Sequence, residues 1–364
     1  MKVFYIDPQS YNNLGDYDKY LLENIDSEKY FYCSDKLSYS EINQTVLRRI
    51  YFYGNYKHIK RIFSYMFSQC VLIREIKKIK PDVIHFQWYK IPFVDLLLMK
   101  LIKRVLPNIT IVHTAHNVLP HDTGAKYVKI YSRIYQFVDG IIVHAKVTKD
   151  EIVDKFKISK DKIFVIPHGF LPSKIKINRT EDGITRFSFI GFLSEYKGLD
   201  ILLKAWCSSP KILENKSISL LIAGAGKLPC LDDIPKNKNI ILENYFHSEE
   251  DLCKIIANTD IAVLPYRKIS QSGVLLTYLA EKKPIIVSNI GGLTQPFEFG
   301  NVGWILNDLT VDSIQEVILQ VIDNRAILDN IANDVELWNR IFDYYEWKNI
   351  SKKTFSLYKE LRGE

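Results

Sequence analysis

The run Ser270-Gln271-Ser272-Gly273-Val274 follows a strand-like stretch, Ile261 to Pro265, and precedes an apolar segment of helical character. Such a turn aims the backbone N–H groups of Ser272, Gly273 and Val274 at one spot over the positive end of a helix, where an anion is favoured. The chemistry this encodes is phosphate binding: Gly273 admits close approach of a ligand, and the hydroxyls beside it can donate hydrogen bonds. Helix capping by Ser272 accounts for the same residues, so the motif takes its meaning from its companions.

Gly191-Phe192-Leu193-Ser194-Glu195-Tyr196-Lys197-Gly198 lies between another strand-like run and an amphipathic helix from Leu199 to Trp206. Lys197 at that turn could neutralise a diphosphate held from the other side by the Ser272-Gly273 turn. A solvated loop lysine is the plainer alternative. His116 ends the stretch Ile111-Val112-His113-Thr114-Ala115-His116-Asn117, where its ring could hydrogen-bond a sugar hydroxyl or its backbone could stabilise positive charge on a reacting carbon. A loop histidine with satisfied bonds explains it equally, and strand alternation turns His113 into the structure. Gly15, in the turn Asn12-Asn13-Leu14-Gly15 before a helix starting near Asp16, offers close approach at a helix N-terminus without the spacing of a GxGxxG fingerprint. Gly224-Ala225-Gly226, Glu243-Asn244-Tyr245 and Gly291-Gly292 mark further strand ends, with Gly224 and Tyr245 placed to line a nucleoside pocket. Tight turns alone would also explain them. Asp16-Tyr17-Asp18 resembles a metal-binding carboxylate pair, but acids in a first helical turn answer the helix dipole, and no metal is expected.

These turns require a scaffold of short apolar strands separated by helices, which means parallel sheets covered on both faces. Strands are expected at Lys2 to Ile6, Val83 to Trp88, Thr110 to Thr114, Gly140 to His144 and Ile163 to Ile166. A second set runs Arg186 to Ile190, Ser219 to Ala223, Ile240 to Leu242, Ile261 to Leu264, Pro284 to Ser288 and Gly303 to Leu306. The expected fold is therefore α/β twice over, broken after Pro167-His168-Gly169 by the polar segment Ser173 to Gly183. Two doubly wound domains would place ligands at the carboxyl ends of their strands, in a cleft.

At 364 residues the chain exceeds what one core usually serves. The start runs directly into a strand with no secretory leader in view, and no apolar run is long enough to span a bilayer. Five scattered cysteines without a CxxC pair fit reduced thiols and argue against zinc, so the reading is intracellular. The net charge of +7 is uneven: Arg48, Arg49, Lys57, Lys60, Arg61, Arg74, Lys77, Lys78 and Lys80 crowd the first third. Tyr51, Phe52, Tyr53, Tyr56, Phe63, Tyr65, Met66 and Phe67 interleave with them, as in a helix lying on anionic headgroups. A helix whose aromatics face its own core is the competing reading. No recognition motif accompanies the charge, so nucleic acid is not an expected partner.

As an ordered set, several segments resemble glycosyltransferase family 4, retaining enzymes of the GT-B fold. They are Val165-Ile166-Pro167-His168-Gly169, Phe189-Ile190-Gly191 with Tyr196-Lys197-Gly198-Leu199-Asp200, Ile222-Ala223-Gly224-Ala225-Gly226, Pro265-Tyr266 with Ser270 to Val274, and Lys283-Pro284-Ile285-Ile286 with Ser288 to Leu293. Tyr345-Glu346-Trp347 and Tyr358 are similar to the family's final helix, which crosses back to the first domain. The resemblance implies an acceptor-side domain over 1–168, a nucleotide-sugar-binding domain over 169–342 and a returning helix over 343–364. It implies transfer of a sugar from a nucleotide diphosphate sugar, of UDP or GDP type, to a hydroxyl, with retention and with no cofactor or essential metal. Lys197 would balance the departing diphosphate, Ser272, Gly273 and Val274 would give it amide donors, His116 would lie beside the donor sugar, and Gly15 near the donor phosphate and acceptor.

Departures matter. Ile269 and Thr277 stand where many members carry the acids of a Glu-x7-Glu motif, and Ser-Gln-Ser-Gly-Val resembles a variant of it; Phe192 replaces a usual arginine and Gln295 a common glutamate. The leading expectation is a cytoplasmic hexosyltransferase at the inner face of the cell membrane, building surface polysaccharide on a glycan or lipid-linked acceptor. The missing acids keep open a non-catalytic nucleotide-sugar-binding partner of another transferase, and a GT-B nucleotide-sugar epimerase is the alternative among enzymes.

Overall fold

A computed structural model of the chain describes residues 1–11, 13–52, 58–120, 124–171, 177, 179, 182–236 and 238–364. Asn12, Tyr53, Tyr56, Lys57 and most of the polar segment between Ser173 and Gly183 lie outside the described residues. The chain divides into two units, one formed by Met1–Gly169 with Tyr344–Glu364, the other by Phe170–Asp343.

The first unit has strands β1 (Lys2–Asp7), β2 (Glu28–Ser34), β3 (Thr45–Tyr51), β4 (Val83–Phe86), β5 (Thr110–Thr114), β6 (Gly140–Val143) and β7 (Ile163–Val165). Its helices are α1 (Asn13–Asn24), α2 (His58–Ile79), α3 (Pro92–Val105), α4 (Val128–Phe137) and α5 (Lys146–Phe156). The second has β8 (Thr185–Ile190), β9 (Ile218–Ala223), β10 (Ile240–Glu243), β11 (Ile261–Leu264), β12 (Ile285–Ser288) and β13 (Gly303–Leu306). Helices α6 (Leu199–Cys207), α7 (Pro210–Leu213), α8 (Glu249–Asn258), α9 (Gly273–Ala280), α10 (Val311–Asp323) and α11 (Ala326–Ala332) accompany them. The chain leaves this unit within α12 (Val335–Tyr345), and α13 (Trp347–Arg362) belongs to the first unit.

Both sheets are wholly parallel, ordered β3-β2-β1-β4-β5-β6-β7 and β10-β9-β8-β11-β12-β13. The inner strands β4, β5, β6, β11 and β12 are buried at every residue, as their unbroken apolar character requires when helices cover both faces. In each sheet the strand order reverses once, between β1 and β4 and between β8 and β11. At such a switch point the loops leave in opposite directions and open a crevice at the carboxyl ends of the strands.

The strands expected from sequence are present, and two more, β2 and β3, join the first sheet. β3 is an edge strand carrying Arg48 and Arg49 with Tyr51 buried, so those three residues are not part of a basic helix as expected. The helix begins at α2, where Tyr65 faces the core while Ile62, Phe63, Met66 and Phe67 stay exposed. Neither sequence expectation for the aromatics holds for all of them. Among the described residues no helix is long and apolar enough to cross a membrane.

Candidate functional site

In the second unit the residues at the β8/β11 switch point converge. Gly191 follows β8 with φ +113°, and Gly224 follows β9 with φ +149° and packs so closely that a Cβ on it would stand 2.0 Å from Gly191 O. The chain then makes a 3-10 turn at Glu195–Lys197 and passes through Gly198, φ +68°, where a Cβ would meet Pro265 O at 2.0 Å. This brings the loop after β8 hard against the loop after β11 and folds the Lys197 side chain back over the strand ends. Its Nζ lies 2.5 Å from where a Gly191 Cβ would be and 5.6 Å from the centre of the Tyr266 ring. A side chain at 191 would therefore evict the ammonium.

Lys197 is only 7% exposed, and burial lowers its ammonium from 10.5 to about 8. The neighbouring acid, Asp200, is occupied by Arg267 in a two-pronged pair, Nη1–Oδ1 2.7 Å and Nη2–Oδ2 2.6 Å. Arg267 also donates to Glu195 O, which ties the two loops together around Lys197. Among the described residues no ion pair engages Lys197. The result is a buried cation without a counter-ion, an arrangement that favours an incoming anion.

Helix α9 starts beside it. The Ser272 hydroxyl caps the helix by accepting from Leu275 N–H at 3.2 Å, which leaves the N–H groups of Gly273 and Val274 outside both the cap and the helix ladder. A Cβ on Gly273 would meet nothing within 4 Å, whereas Val274 Cγ2 lies 3.4 Å from the position of a Gly191 Cβ. The turn before α9 is pinned by Gly292 N–H to Ser270 O at 3.0 Å, and Gly291, φ +56°, lets the backbone pass Ile269 O. The structure thus brings together Gly191, Lys197, Gly224, Ser272, Gly273 and Val274.

Next to this corner is an open hollow of 810 Å³ lined by Phe192, Ser194, Ala225, Lys227, Leu228 and Asn244. Asn244 Oδ1 accepts from Gly226 N–H at 3.0 Å and so fixes one wall. Tyr245 is absent from the lining and stacks instead on His247, centroids 4.2 Å apart. Tyr245, expected to line a nucleoside pocket, does not border this hollow; its neighbour Asn244 does, and so does Phe192, which stands where an arginine is usual.

In the first unit the carboxyl ends of β4, β5 and β6, together with the loop after β7, carry a cluster of rings. His116 stacks on Trp88 with centroids 4.8 Å apart and planes at 6°, and Tyr17 meets its ring edge-on at 4.8 Å. His116 Nδ1 is 3.0 Å from His144 Nε2, and His116 Nε2 is 3.2 Å from the Gln87 side chain. Tyr17 also touches His144, His168 and Trp347 of α13. Burial lowers His144 to about 3 and His168 to about 4, and it holds His116 well below the usual range with help from His144 and His168. All three rings are neutral at physiological pH. His113 is buried against Phe86 O, as alternation predicts.

Gly15 stands at the N-terminus of α1, inside the helix and not in the turn before it. It is buried there, and a Cβ on it would stand 2.9 Å from Leu37 Cδ1, so a larger residue would have to displace that side chain. Asp16 and Asp18 also part company. Asp16 accepts from the Tyr39 hydroxyl, but Asp18 is buried and hydrogen-bonded to Asp7 at the end of β1. Burial pushes Asp7 up to about 7 and Asp18 well above its ordinary value, so the pair retains a proton. The helix dipole therefore explains only the first of these acids. Among the described residues no group of three or more His, Cys, Asp or Glu side chains could hold a metal ion.

Sequence reasoning missed Tyr17, Gln87, Trp88, His144 and His168 as parts of this cluster. Four of them were within reach of one rule, since Gln87, Trp88, His144 and His168 all follow the carboxyl ends of strands.

Comparison with known proteins agrees with this geometry. The model of Glycosyltransferase Family 4 matches residues 30–173, and that of Glycosyl transferases group 1 matches residues 185–324. An uncharacterized glycosyltransferase of Methanocaldococcus jannaschii is 26% identical over 304 residues, covering 77% of this chain and 75% of that one. Sucrose-phosphate synthase from Thermosynechococcus elongatus superposes with TM-score 0.74 at 14% identity, over 100% of this chain and 99% of the other. HepE of Anabaena, in complex with UDP and glucose, gives TM-score 0.74 at 12% identity over 98% of this chain and 99% of the other. With two parallel Rossmann-like sheets and both family models matched in order, the chain belongs to glycosyltransferase family 4 and has the GT-B fold.

Proposed function

We propose that this glycosyltransferase moves a hexose from a nucleotide diphosphate sugar to a hydroxyl of a glycan or lipid-linked acceptor, with retention at the anomeric carbon and without an essential metal. The observation that carries the reading is Lys197, a buried ammonium that no acid among the described residues pairs with, set beside the N-terminus of α9. In this reading Lys197 neutralises the departing diphosphate, and the N–H groups of Gly273 and Val274 and the Ser272 turn receive its oxygens. The hollow beside Phe192 and Asn244 takes the nucleoside, with Gly191 and Gly224 at the strand ends next to it. His116 receives a sugar hydroxyl. The turn Ser270 to Val274 serves in place of the family's acid pair. HepE, which binds UDP and glucose, supports a uridine donor by similarity of fold.

The acceptor side rests on a different feature. On α2, Phe63 and Phe67 are 70% and 71% exposed with Ile62 and Met66 beside them, and α3 exposes Phe93, Leu97 and Leu101 at helical spacing. Lys60, Arg61, Lys77 and Lys78 lie on α2 as well. Exposed aromatics among cations fit an anionic membrane surface, and hence a lipid-linked acceptor in surface polysaccharide synthesis at the cytoplasmic face.

The test is a thermal-shift series with UDP, GDP, ADP and their sugars. A ligand at a hundredfold its dissociation constant stabilises by about 2.7 kcal/mol, so one nucleotide family should raise the midpoint clearly. Turnover of the identified donor should survive EDTA. A protein that responds to none of the nucleotides refutes the donor reading.

A further inference from the structure

The ring of His116 has its protons assigned by its neighbours. His144 Nδ1 lies 2.9 Å from Ile166 O. A carbonyl oxygen only accepts, so His144 carries its proton on Nδ1. The buried ring is neutral, which leaves Nε2 with a lone pair, and the group 3.0 Å away, His116 Nδ1, must donate to it. His116 is then an Nδ1–H tautomer whose Nε2 is bare. The Gln87 carboxamide, whose Oε1 is placed 3.2 Å from that nitrogen, satisfies it by presenting its amide N–H instead, a half-turn that preserves its shape. The turn directs the amide oxygen to His85 Nε2, 3.4 Å away. His85 closes the chain consistently: Nε2 donates to Thr114 Oγ1 at 2.7 Å, and Nδ1 accepts from the Tyr358 hydroxyl at 2.7 Å, which accepts in turn from Tyr5 at 2.8 Å. Each contact in this series then sets a donor against an acceptor.

We infer that His144 is a positioning residue: through Ile166 O it holds His116 as the Nδ1–H tautomer, so that His116 Nε2 can only accept, and the site takes a hydroxyl there and turns away a carboxylate. Trp88 and Tyr17 hold the ring plane, while His144 decides which edge can donate. The selectivity rests on the proposed function, in which His116 meets the sugar; the relay itself does not. A neutral hydroxyl can give a hydrogen bond to the lone pair and displace Gln87, but a carboxylate would set two acceptors against each other with nothing between them.

Two measurements test the relay and the selectivity separately. In protein labelled with [15N]histidine, long-range 1H–15N correlation shows which ring nitrogen bears the proton, and His116→Asn identifies the His116 signal by its loss. Wild type should show His116 protonated on Nδ1. In His144→Leu, which has no acceptor, His116 should switch to the Nε2–H form and donate to Gln87. His144→Gln should restore the wild-type pattern, since its amide can donate to Ile166 O while its oxygen accepts from His116. An Nε2–H form in wild type, or an unchanged tautomer in His144→Leu, overturns the relay, and the wild-type spectrum decides this even if the leucine variant fails to fold. In the second measurement UDP-glucose and UDP-glucuronic acid are titrated. Wild type should prefer the neutral sugar by tenfold or more, with the gap narrowing in His144→Leu and returning in His144→Gln. Equal affinity in wild type, or a gap that the leucine variant keeps, overturns the selectivity. Binding of neither sugar refutes the uridine-donor reading, while the spectra still support or overturn the relay.

Discussion

Replacing Lys197 by methionine separates a functional cation from a structural one, because the two roles move stability in opposite directions. The ammonium is 7% exposed and titrates at about 8 where 10.5 is ordinary, and burial is the cause. A shift of that size means that the charged form is held at a cost of about 3 kcal/mol. Among the described residues no acid pairs with it, since Asp200 is taken by Arg267. Methionine has a similar length and no charge, so Lys197→Met should stabilise the second unit by up to about 3 kcal/mol at pH 7. The sign follows from linkage: a cation whose folded pKa is depressed weakens the fold fully below about pH 8, and that penalty disappears as pH rises towards 10.5. The advantage of the methionine variant should therefore shrink over that interval. Transfer should fall roughly a hundredfold or more, as expected when a preorganised charge is removed from a leaving group. The assays are urea denaturation at pH 7 and pH 10 and initial rates with the donor found by thermal shift. A variant that is less stable than wild type would make Lys197 a structural element. Unchanged turnover would remove it from the chemistry.

Two further predictions concern the first unit. Asp7→Asn cannot ionise, whereas native Asp7 titrates at about 7 against about 3.9 unfolded, so its contribution to stability is complete below about pH 4 and is lost as pH rises through 7. Relative to wild type, the asparagine variant should gain roughly 2–3 kcal/mol between pH 5 and pH 8 in parallel denaturation curves; a constant difference would show that native Asp7 is already ionised. Phe63→Ser with Phe67→Ser leaves the core of α2 intact, since both rings are exposed, and it should lower partitioning onto anionic vesicles by roughly a hundredfold in flotation. Equal partitioning of the variant and wild type would leave membrane contact without its proposed surface.

How much of this was legible in the sequence depended on where the information lay along the chain. The strands of the second unit are short and mostly apolar, and Gly191, Lys197, Gly224 and Ser272 to Val274 lie in the segments that follow them, so order and spacing sufficed to place them. β2 and β3 escaped because Glu28–Ser34 mixes Lys and Tyr with apolar residues, and Thr45–Tyr51 carries the exposed arginines of a sheet edge. The histidine relay escaped for a topological reason. In a parallel sheet, neighbouring strand ends are separated in sequence by a whole crossover helix, so His116 meets Gln87 and His144 from 29 and 28 residues away, and no local pattern records it. Asp18 misled differently: an acid in a first helical turn looks like a complement to the dipole, and only burial against Asp7 shows that it keeps a proton.

The two units also differ in the charge they bring, and the difference bears on pH. In the proposed transfer the sugar would pass through an oxocarbenium-like state, which a cation beside the ring would oppose and a cation at the leaving diphosphate would assist. The first unit supplies imidazoles that burial keeps neutral, with His144 near 3, His168 near 4 and His116 well below its usual value. The second supplies Lys197, which is charged below about 8. The rate at low donor concentration should therefore be flat between pH 6 and pH 7.5, with no histidine limb, and should fall above about pH 8 as Lys197 loses its proton. Bound diphosphate favours the ammonium, so the fall in kcat should lie at higher pH than the fall in kcat/KM. Lys197→Met should abolish the alkaline limb along with most of the rate. A rate that rises through pH 6.5 would place an ionising histidine in the mechanism and contradict the neutral cluster; an alkaline limb that survives in Lys197→Met would assign that ionisation to another group.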